Sequence, residues 1–325
     1  MLTRRNFSLM LPAFISAPAV GRAQSIGLEE AVDNLPQLHS IQVQRGDDLV
    51  YAADPRGPGF GRLANIKSCS KSIVALLLGA ALDRGEVSSV ATTLKEAAPR
   101  LLTQGVTDGA EAITLEDLVT LRAGLERTSG ANYGTWVSSP NWVADALSRP
   151  MVAEPGTRML YSTGSTHVLG AALTEKTGLT LLAQARARLG SALDIEIPAW
   201  TRDPQGYYLG GNEMALTPEA MLRLAVLVRD RGRFGGTQVI SEDWITSSLR
   251  PYARSPWSGL SYGYGWFLSP SGYVLGRGYG GQIIAAHPER DLAVSITSDP
   301  TRPARSAGYF GDLMRLLDGP VSALS

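Results

Sequence analysis

The sequence predicts an α/β (α+β) fold, an antiparallel sheet flanked by helices with a mostly helical domain inserted into it. Three observations predict it. Apolar residues alternate near the start of the chain, where Ile41, Val43, Leu49 and Tyr51 flank Arg45-Gly46-Asp47-Asp48 as in a hairpin. Residues from about 90 to 225 carry helix caps and helical apolar spacing. The end of the chain returns to short apolar runs separated by Gly and Pro. Strands at both ends around a helical middle mark the middle as an insertion. The expected division is a sheet domain, 35–85 plus 226–325, and a helical domain, 86–225, with the functional site at their interface.

The elements follow in order. After the hairpin, an apolar run from Ser68 to Leu82 reads as a helix closed by Gly85. Thr114-Leu115-Glu116-Asp117 resembles a capping box ahead of Leu118, Leu121 and Leu125. Ser139-Pro140 offers a cap and a first-turn proline before Trp142 to Leu147. Thr166 to Thr177 reads as a helix ended by Gly178, and Thr217-Pro218 opens another through Val228. The runs 264–268, 273–275, 282–286 and 292–297 read as successive antiparallel strands. A final helix is expected from about Ala304 to Leu317.

The 325 residues include 30 basic and 30 acidic side chains, so charge makes no case for nucleic acid or an anionic membrane surface. A hydrophobic fraction of 44% supports a full core. The single Cys69 excludes an intramolecular disulfide, and His39, His167 and His287 lack metal-ligand spacing. No metal or organic cofactor is required. Residues 1–23 read as an export signal of the twin-arginine type, with Arg4-Arg5 ahead of an apolar stretch and Gly21-Arg22-Ala23 as a cleavage site. Pro12 and Pro18 break that stretch, which is too short to span a membrane. The mature protein is therefore expected in the periplasm or secreted, with no membrane span. The sequence is silent on oligomeric state.

Lysine is the rarest cation here. Four lysines (Lys67, Lys71, Lys95, Lys176) leave 30 − 4 = 26 arginines. A desolvated lysine can lose its proton and an arginine cannot. Ser68 and Lys71 stand at i and i+3, on one helix face. Lys71 falls where the helix dipole disfavours a cation, and an apolar run follows it. A lysine kept there points to chemistry and not stability. Downstream, Tyr161 sits in Pro155–Ser165, a loop ahead of a helix, and Arg277-Gly278-Tyr279-Gly280-Gly281-Gln282 opens a strand with close backbone access.

With these motifs the chain resembles the class C β-lactamase-related serine hydrolases. That family includes β-lactamases, D-alanyl carboxypeptidases, family VIII carboxylesterases and 6-aminohexanoate-dimer hydrolases. Its order is Ser-x-x-Lys, then Tyr-x-Asn, then a Lys-Thr-Gly-like triad on a strand. Here the matching positions are Ser68 and Lys71, then Tyr161, then Tyr279-Gly280-Gly281. Leu121–Leu125, Gly211–Pro218 and Tyr262–Trp266 are similar as well, and the resemblance covers about 35 to 318. Lys176-Thr177-Gly178 spells the literal triad but closes a helix, so it reads as a helix end. Two positions depart from the pattern. Tyr279 replaces the triad lysine, and Thr163 replaces the asparagine of Tyr-x-Asn. The resemblance implies that the triad lysine helps hold a substrate carboxylate, so the pattern is nearer the esterases and amide hydrolases. Arg277 compensates only if no bulge separates it from Tyr279.

The implied mechanism is serine acyl transfer on a small-molecule ester or amide. Ser68 attacks the carbonyl, and Lys71 and Tyr161 form its activating network, either being the base. Tyr161 protonates the leaving group, and the N–H groups of Ser68 and Gln282 form the oxyanion hole. Thr163, Tyr279, Gly280, Gly281, Trp136 and Asn212 are the substrate-binding candidates. Tyr133, Tyr207 and Tyr208 are either pocket or packing aromatics. Ser70, Ser72, Cys69, His167 and His287 read as structural. The rival readings are a penicillin-interacting enzyme and a non-catalytic binding protein on the same fold.

Overall fold

The computed structural model describes residues 27–324, and the expected export signal at 1–23 lies outside them. Eight strands form one antiparallel sheet: β1 (Leu38–Arg45), β2 (Asp48–Ala53), β3 (Ala253–Arg254), β4 (Ser261–Tyr262), β5 (Phe267–Leu268), β6 (Val274–Gly278), β7 (Gln282–His287) and β8 (Leu292–Ser298). Their order is β2-β1-β8-β7-β6-β5-β4-β3. The first hairpin therefore pairs with the last strand of the chain, Val43 opposite Val294. Both faces of this sheet are covered. In β7, Ile283 and Ala285 point to one apolar cluster while Ile284 and Ala286 point to the other. That is the period-two alternation of a strand with two buried faces.

One face carries α1 (Ser70–Asp83) and the helical middle of the chain. Twelve of the fourteen residues of α1 are buried, so it is a core helix and not an amphipathic one. Gly85 stops it in the left-handed region, at φ +68°. Against α1 lies α2 (Thr163–Thr177), buried from Thr163 to Leu173 and closed by Gly178 at φ +70°. The next long helix, α3 (Pro218–Arg229), is capped by Thr217, whose side chain accepts from the Ala220 N–H. It lies on β8, β7 and β1. The expected boundary at 225/226 thus falls inside a helix that belongs to the sheet. On the opposite face, α4 (Tyr309–Leu316) packs Tyr309, Phe310 and Leu313 under Ile283 and Ile296.

Four expectations change in detail. The middle of the chain is a set of short helices joined by loops, such as Leu115–Val119 and Tyr133–Val137. The capping box at Thr114 and Asp117 is present, but Leu121 leaves the helix at φ +59°. Asn141, and not Ser139, caps Trp142–Leu147 by accepting from the Ala144 N–H. The last helix begins at Tyr309, five residues beyond Ala304 (309 − 304). Among the described residues, no helix is long and apolar enough to cross a membrane.

Candidate active site

Ser68 sits in a single 3-10 turn, Lys67–Cys69, immediately ahead of α1. Lys67 holds φ +50°, a conformation that L residues adopt at a cost of about 1–3 kcal/mol. Its surroundings impose it. The Lys67 N–H donates to Asn65 Oδ1 at 2.9 Å, and Lys67 Nζ pairs with Glu213 at 3.1 Å. This turn lifts Ser68 out of the buried helix, leaving its side chain half-buried at the wall of a cleft of about 600 Å³.

One turn on, Lys71 is only 3% exposed. Its Nζ donates to Ser68 Oγ at 3.2 Å, Thr163 Oγ1 at 3.2 Å and the Gly211 carbonyl at 2.7 Å. No carboxylate takes part, since the nearby Glu213 is held by Lys67. Burial therefore pushes the Lys71 ammonium down to about 7, from a usual value of 10.5. Tyr161 presents its ring to the same nitrogen, 4.9 Å from the centroid, and stacks on Phe267. Burial drives the Tyr161 phenol up to about 12, although its hydrogen bond with Ser68 and the charge of Arg277 oppose the rise. The two groups are thus set apart, a lysine that loses its proton near neutrality and a tyrosine that keeps it.

The far wall is the end of β6. This strand pairs with β5 only at Val274 and Leu275, so Gly276–Gly278 form an open edge that packs against the Lys67–Cys69 turn. Gly278 is needed there, because a Cβ would stand 2.3 Å from the Ile66 carbonyl oxygen. The register with β7 is regular from Val274 to Gly278, Tyr279 opens the turn that follows, and Arg277 and Tyr279 both line the cleft. The Gly278 carbonyl accepts from Gly281 N–H inside the hairpin. Across the planar Gly278–Tyr279 peptide the Tyr279 N–H points opposite to that carbonyl, toward the open edge.

This geometry corrects four sequence expectations. Gln282 does not border the cleft. It lies one strand inward, with its side chain bonded to the Ser298 carbonyl and N–H and its own carbonyl accepting from the Cys69 thiol. Gly280 and Gly281 turn the other way. Cβ atoms there would meet the Asp299 carbonyl oxygen at 2.4 Å and the Tyr309 ring at 2.6 Å. Trp136 is 0% exposed and packs with Trp142 and Leu209 behind the site. Thr163, Tyr279 and Asn212 do line the cleft, with Asn212 Nδ2 donating to the Tyr133 hydroxyl at 2.9 Å. Tyr208 is buried and Tyr207 bonds to Glu175, both outside the cleft. His167 pairs with Asp203 in the core, His287 bonds to the Ser271 carbonyl, and Cys69 is buried with its thiol pushed up by desolvation.

Residues not anticipated from sequence complete the cleft: Ser129, Arg127 and Trp257, the last 54% exposed at the rim. They lie on loops without periodicity. Only the Gly210-Gly211-Asn212 stretch signalled its close approach, Gly211 lying 3.1 Å from Lys71 Nζ at its Cβ position. Among the described residues no group of His, Cys, Asp and Glu could hold a metal ion.

Solved structures share this fold at low identity. EstCE1, a hydrolase with promiscuous acyltransferase activity, superposes with a TM-score of 0.74 at 16% identity, over 94% of this chain and 98% of its own. A penicillin-binding protein homologue from Caulobacter crescentus gives 0.73 at 15%, over 95% and 96%. A candidate 6-aminohexanoate-dimer hydrolase from Bacillus anthracis gives 0.72 at 16%, over 90% and 82%. No curated protein matches the chain. The Beta-lactamase family model matches residues 40–317, nearly all of the described chain, and the protein belongs to that family of serine hydrolases.

Proposed function

We propose that the protein hydrolyses ester or amide bonds of small molecules through an acyl-enzyme on Ser68. The observation that carries this reading is Lys71, a buried lysine without an acid partner, 3.2 Å from Ser68 Oγ. A cation so placed lowers stability, and its use is to become an amine that takes the serine proton. Lys71, held near 7, is then the base. Tyr161, held near 12, is the acid that protonates the leaving group. The oxyanion hole is formed by the N–H groups of Ser68 and Tyr279, in place of Gln282. Losing one such donor costs about 2.7–4 kcal/mol of transition-state stabilisation. The leader at 1–23 supports export to the periplasm or medium in the twin-arginine manner.

A second reading, a penicillin-interacting enzyme, is favoured by one observation. Arg277 lines the cleft against the Phe310 ring, donating to Ser306 Oγ and the Ala304 carbonyl, and no carboxylate pairs with it among the described residues. Such a cation suits a substrate carboxylate.

Hydrolysis of a short-chain p-nitrophenyl ester and of nitrocefin, by mature protein and its Ser68→Ala variant, separates the two. Ester turnover lost with Ser68 and little nitrocefin cleavage is the expected result. Efficient nitrocefin turnover would transfer the assignment to the second reading. Ester turnover that survives Ser68→Ala would sink the acyl-enzyme.

A further inference from the structure

We propose that Thr163 and Ser129 form a hydroxyl relay that carries a proton from Lys71 to water in the cleft, resetting Lys71 after Ser68 has been acylated. The proposal rests on the acyl-enzyme reading above. It starts from how tightly Lys71 is enclosed. Its nitrogen has three polar neighbours, and they differ in what they can do with a proton. The Gly211 carbonyl accepts a hydrogen bond but has no proton to pass on. Ser68 Oγ has a proton only until it is esterified. Thr163 Oγ1 is the third, and it keeps its hydroxyl throughout.

Thr163 is itself buried, so it needs an onward partner. Ser129 Oγ lies 3.0 Å from Thr163 Oγ1, and Ser129 lines the cleft. The orientation of Ser129 is fixed. Its oxygen accepts the Thr163 N–H at 2.8 Å, capping the start of α2 from another loop, while Ser162 makes no side-chain cap. With one acceptor site of Ser129 occupied, two arrangements of the hydroxyl protons satisfy every group. When Lys71 is an ammonium, it donates to Thr163, Thr163 donates to Ser129, and Ser129 donates into the cleft. When Lys71 is an amine, Ser129 donates to Thr163 and Thr163 donates to the nitrogen lone pair.

Passing from the first arrangement to the second takes three hops. The Lys71 proton moves to Thr163 Oγ1, the Thr163 proton moves to Ser129 Oγ, and the Ser129 proton moves to a water in the cleft. Lys71 loses one proton, the cleft water gains one and returns one to the Tyr161 phenolate left when the leaving group was protonated, so the acyl-enzyme holds an amine and a phenol and only N–H and O–H bonds change. In the acyl-enzyme Ser68 can no longer mediate this exchange. Of the three hydrogen-bond acceptors of Lys71, Thr163 then offers the hydroxyl route out. A threonine suits the position because its hydroxyl both donates and accepts at a single oxygen.

Thr163→Val keeps the shape and removes the hydroxyl, Thr163→Ser keeps the hydroxyl, and Ser129→Ala removes the exit. Each is assayed by stopped-flow hydrolysis of a p-nitrophenyl ester, with intact-protein mass measured during turnover. In Thr163→Val and Ser129→Ala, kcat falls about ten-fold or more, and by more than kcat/KM, as Ser68 acyl-enzyme accumulates. Thr163→Ser restores turnover. A cap or packing role alone would not produce the adduct, because it would slow acylation as well. Wild-type kcat without an adduct in Thr163→Val, or in Ser129→Ala should the first variant not fold, overturns the relay while leaving the acyl-enzyme intact. Absence of any Ser68 adduct in the wild type with a slow-turnover ester or a fluorophosphonate overturns the underlying reading instead.

Discussion

Lys71 is unfavourable for the fold, and the proposed chemistry is what gives it a use. Its neighbours are the Tyr161 ring, two hydroxyls and one carbonyl, and the nearest acid is engaged by Lys67. Its folded value of about 7 lies below the 10.5 of the unfolded chain. Between those values the unfolded state binds the extra proton, so wild-type stability rises with pH across that window. Below about 7 both states are protonated and the penalty of burial is fully present. Lys71→Met is therefore expected to be more stable by about 1–2 kcal/mol at neutral pH, and to lose the pH slope, in urea denaturation. The same variant should lose activity by roughly 10²–10⁴-fold. In the wild type kcat/KM should rise with an inflection near 7 as the amine appears, without a second inflection until Tyr161 ionises toward 12. A flat profile would remove Lys71 as the base. Much of this residue was legible in the sequence, because scarcity of lysine, i+3 spacing and an apolar run are all one-dimensional. Ser129 was not, since its role exists only through a contact with Thr163 across 34 positions (163 − 129).

At the scale of elements, the site depends on one close approach, β6 against the Lys67–Cys69 turn. Gly278 permits it, and its Cβ would also stand 2.9 Å from Gln282 Cβ and 3.1 Å from Lys67 Cβ. Backbone on one side and a packed strand on the other leave little room to yield. Gly278→Ala is expected to lower stability by about 1–3 kcal/mol, as an overpacked site does. By moving the edge of β6 relative to Ser68 it should also lower kcat by about ten- to a hundred-fold. Thermal unfolding and steady-state kinetics on the same preparation check both, and a variant with wild-type kcat would detach this edge from the oxyanion hole. The strands and α1 were readable because two- and 3.6-residue periods are printed in the apolar pattern. Which side of the hairpin faces the serine was not. A shift of three positions, from Tyr279 to Gln282, moves the donor from the open edge to the sheet interior. The segments 127–132 and 255–257 carry no period at all, and they supply Arg127, Ser129, Gly130, Ser255 and Trp257 to the cleft.

At the scale of the molecule, residues from three distant stretches, 68–71, 161–163 and 277–279, meet in one cleft. One apolar cluster runs from α1 through the middle helices to Ile284 and Ala293 of the sheet, and Tyr161 packs against the cluster of the other sheet face beside Phe267. Trp266 of the sheet side and Trp244 under α1 both lie in the first cluster, while Gly79 allows the Trp244 ring to close on α1 within 2.5 Å of a built Cβ. A helical part docked through a polar seam would open first and take the site with it. A shared core has no such seam, and α3 binds the expected boundary region directly to β8 and β7. Loss of Ser68 labelling by a fluorophosphonate and loss of helical circular dichroism should therefore follow one urea transition with the same midpoint. Labelling lost at clearly lower urea than the helical signal would mean that the middle of the chain detaches as its own unit. The sequence division at 85/86 and 225/226 would then describe a cooperative boundary, and the cleft would have to assemble by docking rather than by the folding of one core.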